Sequence, residues 1–138
     1  MLVVAAQKRV AVEVKVPQLL RAPSTAVGCD RLLKIVKAAV KGARTGTKGQ
    51  LSRERPALLV IGGFHLAPSD VHDFQRAAAE YLRGATGAGK HAHLMGIGLL
   101  WFGSFPVHGP SGWTVTATLH MPVAVNPGYR GDIPFTTK

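Results

Sequence analysis

Val10-Ala11-Val12-Glu13-Val14-Lys15-Val16 alternates strictly between apolar and other residues. A period of two over this length is the pattern of a half-buried strand. Val10, Val12, Val14 and Val16 take one face, and Ala11, Glu13 and Lys15 take the other. The expectation is that the valines serve the core while Glu13 and Lys15 lie on the wetter side. Alternate residues on one face are about 6–7 Å apart along a strand, so a carboxylate and an ammonium stand side by side on a rigid element.

Working outward, Leu2 to Ala5 pairs with this run as a hairpin, with Ala6-Gln7-Lys8 near the turn. Pro17 to Gly28 is a loop with two prolines. Cys29 to Arg44 has apolar residues at Leu32, Leu33, Val36, Ala39, Val40 and Ala43, the spacing of a helix. Ala57 to Ile61 is a continuous apolar run ending at Gly62-Gly63, as in a central strand buried on both faces. Pro68-Ser69-Asp70 opens a second helix, with Ser69 as N-cap and Asp70 and Asp73 near the positive end of the dipole. Gly84 stops it, and Gly84 to Lys90 forms a flexible loop. His93 to Phe102 and Trp113 to Val125 read as long strands, and Asn126-Pro127-Gly128 as a turn. The order ββαβαββ makes one mixed α/β (α+β) domain over residues 1–138, a single mixed sheet flanked by two main helices.

Charge narrows the partners. The chain has 138 residues and a formal net charge of +10. Residues 1–56 hold 12 Lys/Arg against 3 Asp/Glu, and residues 57–138 hold 5 against 4. A polyanion is the first partner class, with nucleic acid ahead of an anionic membrane surface. On the first helix Arg31, Lys34, Lys37, Lys41 and Arg44 recur every three or four residues, and Lys48 follows. Such a stripe suits backbone phosphates and carries no base readout. The charge-free run from His91 to Tyr129 is broken by Gly96, Gly98, Gly103 and Pro106, which argues for buried strands and against a membrane span. Cys29 stands alone, so no intrachain disulfide or multi-thiolate zinc site is available. With no signal-peptide pattern at Met1 to Ala6, a reducing, cytoplasmic setting is expected.

Three other patterns are weaker. Gly84-Ala-Thr-Gly-Ala-Gly-Lys90 has phosphate-loop spacing, but His91 replaces the magnesium-binding hydroxyl and the loop runs from helix to strand, the reverse of the order a phosphate loop needs. His91 and His93 alternate as two ligands on one strand face would, yet spacing supplies no third. Trp101, Phe102, Phe105 and Trp113 read as core before they read as stacking platforms.

The triplet Glu13-Val14-Lys15, the following basic helix, and Lys48-Gly49-Gln50-Leu51 ahead of Ala57 to Ile61 together resemble the second half of the PD-(D/E)xK nuclease superfamily, the restriction-endonuclease-like fold. The resemblance covers roughly residues 1–63 as sequence and the rest as element order. It implies a Mg²⁺-dependent nuclease domain that binds and cleaves DNA. Glu13 would be the metal ligand, Lys15 would assist water and developing charge, Gln50 would be an accessory catalytic residue, and Arg31, Lys34, Lys37, Lys41, Arg44 and Lys48 would hold the DNA backbone. The family carries a further acid on the preceding strand, and residues 1–12 contain none. Either the chain is a C-terminal fragment of a larger nuclease-like protein, or a second copy, a partner chain or Asp30 supplies the acid, or the domain binds nucleic acid or serves assembly without cleaving. A plain interaction module whose charge suits an acidic protein is the third reading.

Overall fold

The structure, a computed structural model, describes residues 2–5, 8–21, 26–44, 56–64, 66, 68–131 and 133. The first hairpin joins β1 (Leu2–Ala5) to β2 (Lys8–Lys15), with Ala5 opposite Lys8. One 3-10 turn, Gln18–Leu20, precedes α1 (Cys29–Arg44), and β3 (Ala57–Phe64) follows. Next come α2 (Pro68–Gly87), β4 (Leu94–Gly109), β5 (Gly112–His120) and β6 (Val123–Val125). The path across the sheet is β1-β2-β3-β4-β5, with β6 also on β4. Pairs β2–β3 and β3–β4 are parallel, and the others are antiparallel. The domain is therefore mixed α/β with two helices around a central mixed sheet.

The two parallel crossovers, β2–α1–β3 and β3–α2–β4, step the same way across the sheet. Crossovers of constant hand that step the same way lay their helices on the same face. The packing agrees. Ala11, Leu59, Ile61, Ile97 and Leu99 from the sheet form one buried cluster with Leu32, Val36 and Val40 of α1 and Phe74, Ala78 and Leu82 of α2. The opposite face holds a small cluster, Leu58, Val60 and Met95, edged by Val12, Leu100, Val123 and Tyr129.

Several boundaries differ from expectation. The strand β3 runs through its two glycines to Phe64, and α2 runs through Gly84 to Gly87, because neither site needs a left-handed residue to end the element. With Pro68 already helical, Ser69 lies inside the first turn of α2. The expected last strand breaks at Met121-Pro122 into β5 and β6, giving ββαβαβββ. Gly96 permits this return. A Cβ there would meet the Ala124 carbonyl oxygen at 2.6 Å.

The valine stripe contradicts the expectation of which face is inside. Val14 and Val16 are 43% and 38% exposed, whereas Ala11 and Glu13 are 4% and 8% exposed on the helix-covered side. Alternation fixes that two faces exist. The crossover helices decide which is covered, and here they cover the face carrying the charges.

Two buried polar side chains fasten the layers. Asp70, in the first turn of α2, accepts the backbone N–H of Val27 at 2.9 Å and that of Gly28 at 3.2 Å. Gly28 has φ +87°, a conformation that glycine adopts without strain, so the chain can turn there into α1. Asn126 donates from Nδ2 to the carbonyls of His91 (2.9 Å) and Leu94 (2.7 Å). Its Oδ1 accepts the Thr86 hydroxyl at 3.1 Å and the Gly128 N–H at 3.0 Å. One amide thus joins the end of α2, the start of β4 and the closing turn, and leaves none of its own groups unsatisfied.

Candidate functional site

Glu13 and Lys15 project from the end of β2, beside Leu59 and Ile61 of β3. Lys15 Nζ lies 2.8 Å from Glu13 Oε1, and the side chains are 35% and 10% exposed respectively. The buried carboxylate is thus engaged by a half-buried ammonium that reaches solvent. Beyond it, Lys15, Val16, Pro17, Ile35, Ala38, Ala39 and Gly42 line a cleft of about 320 Å³ between the end of β2 and α1. The pair sits at the carboxyl end of a parallel strand, where open α/β sheets usually place ligands.

A divalent ion such as Mg²⁺ is normally held by one or two carboxylates plus waters and substrate oxygens. Glu13 provides one carboxylate, already paired with Lys15. Among the described residues no group of three or more His, Cys, Asp or Glu side chains stands close enough to hold a metal. Asp70 is committed to the Val27 and Gly28 amides. Asp30 is exposed at the start of α1. The described residues thus supply Glu13 at this place and no cluster of three ligands. Gln50 and Lys48 lie outside the described residues, as does His65.

The cations of α1 fare differently. Arg31, Lys34, Lys37 and Lys41 are all exposed, while Leu32, Ile35, Val36, Ala39, Val40 and Ala43 are buried. The apolar spacing that packs one side of the helix onto the sheet turns these four outward. No carboxylate among the described residues comes within ion-pair distance of them; the close ion pairs lie elsewhere, at Lys15–Glu13 and Arg76–Asp73. Arg44 closes the helix, and its side chain lies outside the described residues. Asp30 shares this outer side at the first turn, where an acid favours the helix dipole.

A second cleft, of about 350 Å³, lies between α1 and the last turns of α2, and Lys37, Lys90 and Glu80 are among its lining residues. Lys15, paired with Glu13, therefore lies on one flank of α1, and Lys37 and Lys90, with Glu80 in the same cleft, lie on the other. The phosphate-loop-like spacing of Gly84 to Lys90 hides this contribution of Lys90 in the sequence. The structure makes Gly84 to Gly87 the last helical turn, with Ala88 and Gly89 in the turn after it.

His91 is buried, has φ +61°, and its Nε2 is 2.9 Å from the Tyr81 hydroxyl. β4 begins only at Leu94, so His91 and His93 both precede the strand and do not alternate along its face. Trp101 packs against the main core and stacks on His120 with ring centroids 5.3 Å apart. Trp113, expected in the core, is 73% exposed.

No helix among the described residues is long and apolar enough to cross a membrane. In comparisons with known proteins, the chain matches no family model, no curated protein and no solved structure.

Proposed function

We propose that this domain binds the phosphate backbone of nucleic acid, DNA first, through the outer face of α1, without cleaving it by a magnesium mechanism of its own. The observation that carries the reading is the exposed row Arg31, Lys34, Lys37 and Lys41, with no acid among the described residues in ion-pair contact. A row made only for solubility gains from interleaved acids, which relieve the repulsion between cations one turn apart. Phosphates spaced along a strand relieve it equally well and release condensed counterions on binding. Lys15 and Lys90, in the flanking clefts, extend the positive band.

The PD-(D/E)xK resemblance keeps its support from the order hairpin, helix, parallel strand, and from Glu13 beside Lys15. In this reading the pair is a structural remnant of such a site or its equivalent, and Lys15 offers a cation at the mouth of the cleft.

The test is fluorescence anisotropy of a labelled duplex across a salt series. Binding should weaken steeply with salt. Lys34→Ala with Lys37→Ala should lower the slope of log K against log salt by about 2, close to one counterion for each phosphate no longer neutralised. No binding at low salt, or an unchanged slope in the double variant, overturns the proposal. Magnesium-dependent cleavage that disappears in Glu13→Gln would overturn the non-cleaving part and restore the nuclease reading.

A further inference from the structure

The face of the sheet opposite the helices carries a second, chemically different surface. By register, Val14 and Val16 of β2 share this face with Leu58 and Val60, and a Cβ on Gly62 would meet Val16 Cγ2 at 3.1 Å. Leu100 of β4 pairs with Gly62, and Phe102 pairs with both Phe64 and Leu119. Strand alternation then brings Leu119, Val115 and Trp113 to the same side. Leu119 is 64% exposed, Val115 74% and Trp113 73%. The apolar surface thus runs from β2 to the far edge of β5. From Val12 to the end of β2, and along β3, β4 and β5, no residue that register places on this face is an Asp, Glu, Lys or Arg; Lys8, at the start of β2, alternates with Val14 onto the same side.

Beyond Phe102, opposite the end of β3 at Phe64, β4 keeps β5 as its partner. The two strands form a ribbon out to Gly109 and Gly112. Pro106 is tolerated in it because the β3 ladder has ended. A two-stranded ribbon is marginally stable in water on its own. One that displays Trp113 and Val115 gains when its apolar side is covered.

We infer that this face is the contact between two copies of the chain, packed sheet to sheet with the helices outside. Charge selects the occupant. Each copy carries +10, so association through α1 would press a row of cations together, while on this face alternation places one cation of β2 to β5, Lys8 at the far end of β2. Area agrees. Val14, Val16, Phe64, Trp113, Val115 and Leu119 expose on the order of 600 Å² per copy, and neighbouring side chains raise this towards the roughly 800 Å² per partner of a stable interface. A patch of this size is at the upper end of what monomers display. Sheets packed face to face lie about 10 Å apart, a gap that interdigitated Val, Leu and Trp side chains fill. A two-fold axis makes the patch its own complement.

Sedimentation velocity on the full chain tests this from roughly 1 to 100 µM, the range that brackets micromolar self-association. The expected mass is twice the 14.6 kDa of one chain. Val115→Glu with Leu119→Glu should return the single-chain mass, with dissociation at least about 100-fold weaker, as for loss of a central apolar anchor pair. Lys34→Ala with Lys37→Ala should leave the dimer intact. Circular dichroism checks that the variants are folded, and Val14→Lys, from the other end of the patch, gives the same readout should the β5 variant fail to fold. A wild type that stays at single-chain mass at the highest concentration overturns the inference, including the case in which a different protein covers this face. A folded Val115/Leu119 variant that dimerises like the wild type overturns it too. The inference stands apart from nucleic-acid binding, because the Glu variants leave α1 untouched and should keep their anisotropy signal.

Discussion

The two faces of the sheet differ in what their strands show and in what covers them. On the helix side, Leu59, Ile61, Ile97 and Leu99 are fully buried, and the ion pair Glu13–Lys15 lies at their margin. On the open side, valines and a tryptophan face outward. Composition would have assigned these roles in reverse. Coverage decides burial, and coverage is set by the hand and direction of the crossovers. A face carrying an acid and a lysine can be the inner one where each supplies the other's counter-charge. Val14 and Val16 can be outer where neither α1 nor α2 is routed over them.

Single substitutions sharpen this contrast, and the largest effect should fall under the helices. Leu59→Ala removes a fully buried side chain between β2 and β4 and should cost about 2–5 kcal/mol in urea unfolding. A cost below about 1 kcal/mol would mean that the covered face is not the main core. Asn126→Ala removes the amide that bonds the His91 and Leu94 carbonyls, the Thr86 hydroxyl and the Gly128 N–H, and although the His91 carbonyl keeps the Leu94 N–H it should cost about 2–4 kcal/mol, several buried hydrogen bonds lost at once. Lys15→Met leaves the buried Glu13 carboxylate without that ammonium. About 1–2 kcal/mol is expected, below the full cost of a broken buried pair because Lys15 is half exposed. The smallest effect belongs to the open side. Val14→Thr should change the stability of a dilute, monomeric sample by less than about 0.5 kcal/mol, as at ordinary surface positions. Should Val14→Thr cost as much as Leu59→Ala under those conditions, the contrast between the faces collapses.

Most of the framework was legible in the residues. The period-two run at Val10 to Val16, the helical spacing from Leu32 to Ala43 and the apolar block Ala57 to Ile61 each have one local reading, and each forms the expected element. Element ends were less legible. Gly84 is as compatible with a helix interior as with its stop, and Pro122 breaks a strand only because the chain must double back to pair β6 with β4. The outer row of α1 was legible because its spacing and the apolar spacing are two halves of one helical pattern. The contribution of Lys90 was not, since its nearness to Lys37 is made by the packing of α1 on α2. Nor could the bond from Asp70 to Val27 and Gly28 be read, because it spans more than forty residues and depends on both helices lying on one face.

Asn126 has a consequence for the order in which the chain is made. Its amide grips carbonyls 35 and 32 residues earlier. During synthesis, β2, α1, β3 and α2 emerge before the residue that fastens the start of β4 to the end of α2. Contacts so distant in sequence form late, because the intervening loop must close before they return any free energy. A nascent chain stalled short of residue 126 should hold its parallel strands in a looser, protease-sensitive state and tighten in one step once that single side chain is delivered.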